Sequence, residues 1–377
     1  MKILFCGGGT GGHFYPIIAV AEAIRERSKD RKILMPNLYY MASTKYNPRA
    51  LFDQEIEFIP VTTGKIRRYF SLLNIVDIFK TFFGTIGAIF TLYRVYPDVV
   101  FGKGAYMSFP VLFAARFLRI PIVIHESDSK PGRVNAWAGK FARKVAISYP
   151  DAAQYFKKNP EAVALTGNPI RASIANALSN GAFEFLHLEA GVPVIFILGG
   201  SQGSQAINDV VVNALPEILN KYQVLHQTGK ANIEEIKSTT AIGLKDHPYS
   251  YRYHAFEYLD ELALRMSAGA ADIIVSRAGS TIFEIASWAK PSIIIPLPSE
   301  VSHDQSSNAF AYARTGAATV IEQNNLSSHV LIEEVNRIVG TPEIRNTMSQ
   351  KAKAFSRADS ATTIADALLD IGLEHEK

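Results

Sequence analysis

The sequence predicts an α/β protein built from two doubly wound, Rossmann-like domains. Short apolar runs rich in β-branched residues alternate with amphipathic segments, and this pattern restarts after Asn168. Each half also opens in the same way, with an apolar run, a glycine turn and a helical pattern: "KILFCGGGTGGHFYP" and "VPVIFILGGSQGS". Strands that alternate with helices form parallel sheets. We therefore expect two parallel sheets that face a common cleft, which would hold the site.

The strands are predicted from apolar runs that turn signals interrupt. In the first half these runs are "KILFC", "LYYMAS", "EFIPV", "PDVVFG", "IPIVIHE", "KVAIS" and "AVALTG". In the second half they are "VPVIFIL", "YQVLHQTG", "ADIIVS", "KPSIIIPLP" and "AATVIE".

The chain length supports two domains, because 377 residues exceed the size at which one core usually keeps growing. Gly167 and Pro169 break the periodicity in "TGNPIRAS", which indicates the junction. We predict a first domain over residues 1–166 and a second over 167–357. A C-terminal helix over about 358–377 could pack back on the first domain.

Composition excludes several classes of protein. The formal charge of +4 is too small to indicate a nucleic-acid partner, although it suits an anionic membrane or a phosphorylated substrate. The single cysteine, Cys6, excludes a disulfide framework, and its place in an apolar run predicts a buried, inert thiol. The apolar run before the glycines is too short for a signal peptide, so we expect a cytoplasmic protein.

The first glycine turn has the spacing of a dinucleotide-binding fingerprint, in Gly7, Gly9 and Gly12. A nicotinamide enzyme also needs a carboxylate at the end of the second strand, where this chain reads "LYYMASTK". The missing carboxylate argues against hydride transfer. His13 directly follows the glycines and has two interpretations: a helix-start residue hydrogen-bonded to the loop, or a general base.

A second glycine turn, "FGKGAYMSFP", places Lys103 between Gly102 and Gly104. This turn is either a diphosphate-binding loop or an ordinary connection between a strand and a helix. The following motif, "IVIHESDSKPGRVN", puts Glu126 and Asp128 at the end of a predicted strand, where polar groups are seldom needed for packing.

In the second half, "SRAGSTIFEIASW" places Arg277 after a strand and Glu284 in the helix that follows. Glu284 is either a carboxylate that accepts both hydroxyls of a ribose or an exposed helix residue. No group of Asp and Glu residues has the spacing of a Mg²⁺ site.

These motifs occur together and in order along nearly the whole chain: "GGGTGGHFYP", "GKGAYMSFP", "HESD…PGRVN", "TGNPIR", "LGGSQGS", "HQTGK" and "SRAGS…E". In this the sequence resembles the MurG-type N-acetylglucosaminyltransferases. The resemblance implies a GT-B glycosyltransferase fold and an inverting transfer from UDP-N-acetylglucosamine to lipid I, a sugar on undecaprenyl diphosphate. The product would be lipid II, for peptidoglycan synthesis and hence cell shape and division. It also implies a peripheral protein on the cytoplasmic face of the membrane, with no metal and no cofactor.

The resemblance also implies roles for individual residues. His13 is the expected base, with Glu126 as the alternative. The residues expected to bind the donor are Thr10, Gly11, Gly12, Asp128, Asn135, Arg171, Ser201, Leu259, Glu284 and Gln305. The residues expected in the acceptor and phosphate loops are Gly9, Gly102, Lys103, Gly104 and Tyr106.

The chain departs from the family pattern in three places. It reads "HESD" where the family usually reads HEQN, so that Asp128 changes an expected contact with the donor sugar. Ala105 replaces a glycine in the second turn, and the segment before Glu284 is one residue shorter than usual.

Three other functions remain open at this point. A UDP-N-acetylglucosamine 2-epimerase would use the same nucleotide half without a lipid acceptor. A different lipid glycosyltransferase would share both halves, and a non-catalytic sugar-nucleotide-binding subunit would lack the acceptor loops. Both sets of loops are present in this chain.

The segment from Lys65 to Arg94 is basic and strongly apolar. At helical spacing, one stripe is expected to face the core, and it consists of Leu72, Val76, Phe79, Phe83 and Ile86. A second set extends beyond that face and consists of Leu73, Phe82, Ile89, Phe90 and Tyr93. The uncharged run from Thr81 to Tyr93 is shorter than the roughly 20 residues that span a bilayer. We predict that the segment lies on an anionic membrane surface; the alternative is a pair of ordinary core helices.

Overall fold

Two parallel sheets organise the chain, as the sequence predicts. The computed structural model describes residues 1–64, 73–200, 203–298 and 303–374. The first sheet has the strand order β3-β2-β1-β4-β5-β6-β7, and the second has the order β10-β9-β8-β11-β12-β13. In each sheet the order reverses beside the first strand, β1 or β8, which is the doubly wound arrangement.

The strands are short and mostly buried. Those of the first sheet are β1 (Lys2–Cys6), β2 (Asn37–Ala42), β3 (Ile56–Pro60), β4 (Val99–Gly102), β5 (Ile122–Glu126), β6 (Lys144–Ile147) and β7 (Val163–Leu165). Those of the second sheet are β8 (Val194–Leu198), β9 (Gln223–Gln227), β10 (Tyr253–Phe256), β11 (Ile273–Ser276), β12 (Ser292–Ile294) and β13 (Ala318–Val320).

Helices connect the strands and cover the sheets. They are α1 (Gly11–Asp30), α2 (Pro48–Asp53), α3 (Leu73–Val95), α4 (Phe109–Phe117), α5 (Arg133–Ala138), α6 (Ala182–Phe185), α7 (Gln205–Ile218), α8 (Ile233–Gly243), α9 (Glu261–Ala270), α10 (Thr281–Ser287), α11 (His303–Ala313), α12 (Ser328–Val339), α13 (Pro342–Phe355) and α14 (Ser360–Leu373).

Each sheet separates two hydrophobic layers, because successive side chains of a strand point to opposite faces. In β1, Ile3 and Phe5 join the layer beneath α1 and α14, whereas Leu4 and Cys6 join the layer beneath α4. Cys6 is fully buried, as predicted, and burial raises the pKa of its thiol far above the usual range. The buried thiol is therefore inert.

The chain divides into two compact units. The first comprises Met1–Arg171 and the stretch that begins at Ala358; the second comprises Ala172–Arg357. The residues Gly167–Arg171 thus belong with the first unit, five residues beyond the predicted boundary.

The C-terminal helix α14 packs against α1 within the first unit. Ile364 and Leu368 join the buried layer beneath α1. Ion pairs flank this contact: the Asp366 carboxylate lies 2.9 Å from Nε of Arg27 and 2.6 Å from Nη2 of Arg31.

The edge strand β10 was missed by the sequence prediction. Its residues, "YHAF", are all half-buried and form no continuous apolar run. The strand is defined by its pairing with β9, which starts with Tyr253 opposite Val224. A strand at the edge of a sheet needs less apolar sequence than a central one, so its periodic signal is weak.

The face of α3 that packs on the core is opposite to the face that the sequence predicts. The predicted core residues Val76, Phe79, Phe83 and Ile86 are exposed, with 59% of Phe79 and 65% of Phe83 accessible to solvent. The buried positions are instead Asp77, Gly84, Ala88 and Leu92. The reason is steric: a Cβ at Gly84 would overlap the carbonyl oxygen of Thr62, so only a small residue allows the helix to approach the end of β3.

The residues predicted to extend beyond the core face lie largely in solvent. Phe82, Phe90 and Tyr93 are exposed, whereas Ile89 is half-buried. The side chains of Leu72 and Leu73 lie outside the described residues, as do Lys65, Arg67 and Arg68. We call the exposed apolar side chains of α3 the α3 apolar face, which consists of Ile75, Val76, Ile78, Phe79, Phe82, Phe83, Ile86, Phe90 and Tyr93.

Candidate active site

A glycine loop follows β1 and leads directly into α1. Gly7, Gly8 and Gly9 have φ angles of +144°, +129° and +91°, which side chains rarely adopt. A Cβ at Gly8 would also overlap the hydroxyl of Tyr40, which donates a hydrogen bond of 2.7 Å to the Gly7 carbonyl. These glycines therefore allow a tight backbone turn at the carboxyl end of the sheet. The first N–H groups of α1 lack helical partners and suit an anionic ligand.

His13 lies in the first turn of α1 and is half-buried. Its Nδ1 lies 3.3 Å from the carbonyl oxygen of Lys103. A carbonyl oxygen can only accept, so Nδ1 carries the proton in this hydrogen bond and Nε2 keeps its lone pair. Burial, aided by the nearby charge of Lys103, lowers the pKa of His13 to about 4. The imidazole is therefore neutral at pH 7 and can accept a proton at Nε2.

Lys103 belongs to the second glycine loop, which follows β4. Its backbone N–H donates to the carbonyl oxygen of Cys6 at 2.9 Å, so this loop is tied to the end of β1. Only 1% of the residue is exposed, and within the described part of the chain its ammonium has no hydrogen-bond partner. Burial lowers the pKa of Lys103 to about 8, and the charges of Glu126 and Asp128 oppose that shift. The ammonium is therefore a buried charge beside two carboxyl groups.

The second loop also explains one departure from the family pattern. Ala105 adopts φ +63° and ψ 161°, a region of backbone space that is almost restricted to glycine. The family glycine at this position thus matches the local geometry, and Ala105 stores strain. At Gly104, φ is +84°, and a Cβ would lie 2.9 Å from Nδ2 of Asn135.

Glu126 ends β5 and is buried. Its Oε1 accepts from the backbone N–H of Asp128 at 2.9 Å. Its Oε2 accepts from the backbone N–H of Gly132 at 3.1 Å and from Nδ2 of Asn135 at 2.9 Å. Burial and the neighbouring Asp128 charge raise the pKa of Glu126 to about 7. Both carboxylate oxygens already hold the "SDSKPG" turn, whereas Nε2 of His13 makes no comparable contact among the described residues.

In the second unit, a glycine turn follows β8. Gly203 has φ +77°, and a Cβ there would overlap the carbonyl oxygen of Thr228, so the turn packs directly on the end of β9. Gln227 connects this turn to the loop before α9. Its Nε2 donates to the carbonyl oxygen of Gly200 at 3.2 Å, and its Oε1 accepts from the backbone N–H of Leu259 at 3.1 Å. Leu259, one of the residues expected to bind the donor, is thus connected to this turn through Gln227.

Arg277, at the end of β11, fixes the same turn from the other side. Its Nη2 donates to Oγ of Ser204 at 2.6 Å and to Oε1 of Gln323 at 2.7 Å. Its Nη1 donates to the carbonyl oxygens of Ile295 and Pro296. Burial lowers the pKa of Arg277 to about 10, so it remains a cation at pH 7. The guanidinium therefore supplies positive charge directly behind the turn.

Two family descriptions match the chain. "Glycosyltransferase family 28 N-terminal domain" matches residues 3–147, and "Glycosyltransferase family 28 C-terminal domain" matches residues 194–364. A relative from Treponema denticola is 33% identical over 97% of this chain and 96% of its own length. A relative from Bacillus thuringiensis is 35% identical over 93% of this chain and 95% of its own length. Both are named UDP-N-acetylglucosamine--N-acetylmuramyl-(pentapeptide) pyrophosphoryl-undecaprenol N-acetylglucosamine transferases. This chain belongs to the MurG-type enzymes of glycosyltransferase family 28.

Solved structures agree with the fold of this family. The crystal structure of Acinetobacter baumannii MurG matches with a TM-score of 0.73 and 23% identity, over 98% of this chain and 99% of that one. A UDP-GlcNAc 2-epimerase from Neisseria meningitidis, bound to UDP-GlcNAc, matches with a TM-score of 0.66 and 16% identity, over 98% of this chain and 100% of that one. At these identities the matches show the shared GT-B fold and do not separate the two activities.

The structure brings several predicted residues of this transferase together in the first unit. Lys103 lies against His13 through its carbonyl group, and Gly104 abuts Asn135, which in turn holds Glu126. Tyr106 lies further along the same loop and is exposed. The expected contacts of these groups with substrate remain predictions.

The predicted donor residues occupy different parts of the fold. Thr10, Gly11 and Gly12 form the start of α1, where the carbonyl oxygen of Thr10 accepts from the N–H groups of His13 and Phe14. The guanidinium of Arg171 lies 4.1 Å from the ring centre of Tyr15, also in the first unit. Ser201 lies outside the described residues.

Two predicted donor residues lie on helices of the second unit. Glu284 is half-buried on α10. Gln305 on α11 accepts through Oε1 from the backbone N–H of Leu297 at 3.1 Å, so it supports the loop after β12.

Sequence reasoning missed two residues that organise the second unit's turn. Gln227 lies within the motif "HQTGK", and Arg277 directly follows a predicted strand in "SRAGS". Both are polar residues at or just after the ends of predicted strands, and that position was the available signal. Within residues 1–64, 73–200, 203–298 and 303–374, no group of three or more His, Cys, Asp or Glu side chains could hold a metal ion. Independence from metal remains a prediction.

Proposed function

We propose that this chain transfers N-acetylglucosamine from UDP-N-acetylglucosamine to the N-acetylmuramyl sugar of undecaprenyl-diphosphate-linked lipid I, with inversion at the anomeric carbon. Two relatives that are named for this activity are 33% and 35% identical to this chain along almost its whole length. The observation that carries the chemistry is the pairing of His13 Nδ1 with the Lys103 carbonyl. It leaves a neutral imidazole whose Nε2 lone pair is available at the end of a glycine loop.

In this proposal His13 removes the proton from the acceptor hydroxyl as that oxygen attacks the anomeric carbon of the donor. The bond between that carbon and the diphosphate breaks, and UDP leaves with the bonding electrons. A single displacement of this kind inverts the anomeric centre. The imidazole needs no prior deprotonation at neutral pH, because burial keeps it uncharged.

The second unit is proposed to hold UDP. The glycine turn after β8 offers backbone N–H groups and the N-terminus of α7 to the diphosphate. Arg277 places a cation behind that turn through Ser204. Glu284 is proposed to accept hydrogen bonds from the ribose hydroxyls. Stabilising the charge that develops on the departing diphosphate lowers the barrier without a metal.

We further propose that the first unit lies against the cytoplasmic face of the membrane. Helix α3 exposes aromatic and aliphatic side chains, and Phe113 and Phe117 of the adjacent α4 are also exposed. The same two helices also carry the exposed cations Lys80, Arg94 and Arg116. Such a surface gains free energy from apolar contact and from attraction to anionic lipids.

The proposed mode of membrane contact is peripheral. By length and composition alone, the stretch Asn74–Val95 is able to cross a bilayer. It is longer than the uncharged run Thr81–Tyr93, from which the sequence predicts a segment too short to span. However, α3 connects β3 to β4, and its Gly84 contacts the end of β3. Spanning the bilayer would require the helix to leave the sheet, whereas surface contact uses the face that is already exposed.

The decisive experiment measures UDP release and product stereochemistry. Purified protein with UDP-N-acetylglucosamine and a lipid I analogue is expected to release UDP and form a β-linked disaccharide, identified by NMR. A 2-epimerase would convert the donor sugar to its epimer without lipid I, and a non-catalytic subunit would bind UDP without either reaction. Either of those results would overturn the proposal.

A further inference from the structure

A groove of about 410 Å³ runs along α3 beside the ends of β2 and β3. Its lining includes Met41, Val61, Phe79, Lys80, Phe83 and Gly87. The volume falls within the range of about 300–1,000 Å³ for small-molecule sites. All of these residues belong to the first unit, and none has a role in the site described above.

The shape of the groove follows from the glycines of α3. Gly84 lets the helix backbone reach Thr62, and Gly64 in turn lies against the backbone of Asp77. One turn beyond Gly84, a Cβ at Gly87 would have no atom within 4 Å. Gly87 therefore leaves open space, and the exposed rings of Phe79 and Phe83 stand beside it.

One end of the groove lies close to the first glycine loop. Met41 pairs with Cys6, the last residue of β1, and Gly7 follows directly. Neighbouring strands are about 4.8 Å apart, so Met41 is one strand spacing from the residue that precedes the first glycine loop.

The second glycine loop is also connected to this region. Met107 accepts from the hydroxyl of Ser43, just after β2, at 3.2 Å, and a Cβ at Gly9 would lie 3.2 Å from its methyl group. Tyr106 lies near enough to Asp77 of α3 for that carboxylate to help burial raise the tyrosine pKa. The loops expected to hold a diphosphate and the groove therefore form a continuous path on the carboxyl edge of the sheet.

We propose that this groove binds the first isoprene units of the polyprenyl chain of the acceptor. This inference rests on the proposed function, in which the acceptor sugar is joined through a diphosphate to such a chain. With the reacting hydroxyl at His13 and the diphosphate at the glycine loops, the chain must leave along that path. A methyl-branched hydrocarbon forms no hydrogen bonds, which suits walls made by Met41, Val61 and Phe83.

The charge at the groove matches the same ligand. Among its described lining residues, Lys80 is the one cation, and its ammonium lies 3.8 Å from the Asp77 carboxylate. It is exposed at the rim, where the lipid-proximal phosphate would pass. The groove shares Phe79 and Phe83 with the α3 apolar face, but Met41 and Gly87 also line it, whereas Phe82, Phe90 and Tyr93 do not.

A plug at Gly87 tests the inference. Gly87→Phe fills open space on a helix, where replacing glycine favours the helical backbone. Gly87→Met provides a flexible second plug in case the ring disturbs folding. The matched control is Gly243→Phe on α8 of the second unit, where a Cβ also has no atom within 4 Å.

Two measurements are made on the full chain. The first is calorimetric binding of a three-isoprene polyprenyl phosphate without donor. We expect both plugs to weaken binding about tenfold or more and Gly243→Phe to leave it unchanged. The second is the ratio of kcat/KM for acceptors with three isoprene units and with one. The plugs are expected to lower that ratio about tenfold.

These measurements separate the two proposals. If the plugs abolish binding of polyprenyl phosphate but the unsubstituted protein transfers sugar to no acceptor, the groove is supported and the proposed function is overturned. Transfer with equal efficiency to both chain lengths, or polyprenyl phosphate binding that both plugs leave intact, would overturn the groove and leave the function standing.

Discussion

Nδ1 of His13 lies 3.3 Å from the carbonyl oxygen of Lys103, so the first turn of α1 is held by the loop that follows β4. Two glycine loops from adjacent strands thus determine which nitrogen of the imidazole stays basic. The same contact would serve a purely structural histidine. A catalytic base and a structural histidine differ in how much kcat falls when the imidazole ring is removed.

We expect His13→Ala to lower kcat by about 10²–10⁴-fold while the affinity for UDP stays unchanged, because the proposed base acts on the acceptor hydroxyl. Initial rates and UDP calorimetry measure the two effects. His329→Ala, at an exposed position of α12, is the control. Near-normal turnover of His13→Ala would return the residue to a structural role and favour Glu126 as the base.

The charges around Lys103 predict how activity depends on pH. Removing the cation in Lys103→Met should raise the pKa of His13, because the ring then protonates more easily, and should also raise the pKa of Glu126. The acid limb of kcat/KM is therefore expected to move to higher pH. The pH profile of the transfer measures this shift.

The variant Asp128→Asn shows whether His13 or Glu126 is the group whose pKa sets the acid limb of kcat/KM. Losing the Asp128 charge lowers the pKa of Glu126 from about 7, whereas Asp128 does not contribute to the shift of His13. If His13 is the base, we expect the limb to keep its position in this variant. A limb that moves to lower pH would assign the base to Glu126.

We expect Glu284→Ala to weaken UDP binding by about 10–100-fold, since a hydrogen bond to a charged group contributes about 1.5–3 kcal/mol. Calorimetry with UDP and with uracil alone locates the loss at the ribose. Glu235→Ala, at an exposed position of α8, is the control. Unchanged UDP affinity in Glu284→Ala would remove this residue from the donor site.

The α3 apolar face, together with the exposed cations Lys80, Arg94 and Arg116, predicts salt-sensitive binding to anionic vesicles. Replacing Phe82 and Phe90 by Ser is expected to lower the vesicle-bound fraction about tenfold at low salt, because both rings are exposed and available to lipid. Phe52→Ser is the control, since Phe52 is 82% exposed on α2, away from this face. Sedimentation measures the bound fraction; equal binding of all variants would contradict membrane contact through α3.

Ala105→Gly is expected to stabilise the protein by about 1 kcal/mol. Relief of a strained backbone contributes about 1–3 kcal/mol, and the greater entropy of glycine in the unfolded chain offsets part of that gain. Thermal unfolding in the absence of ligand measures the change. A lower Tm would show that the φ of +63° at Ala105 costs little.

The sequence by itself determined the architecture and the order of the loops. Alternating apolar runs and amphipathic segments predict parallel strands, because local periodicity reflects burial on one or both faces. Gly7–Gly9, Gly200 and Gly203 likewise mark turns, since glycine adopts such positive φ angles freely. These signals are local, so a linear sequence carries them.

The tertiary structure alone decided which groups are buried and what they face. The sequence places Lys103 in a loop expected to bind phosphate, and the tertiary structure adds that its side chain is buried near Glu126, because β4 and β5 are neighbours in the sheet. Helix α3 was assigned the wrong buried face, because hydrophobicity favours the aromatic stripe whereas the close approach of Thr62 requires Gly84. Both results depend on distances between segments far apart in the chain, which local periodicity does not encode.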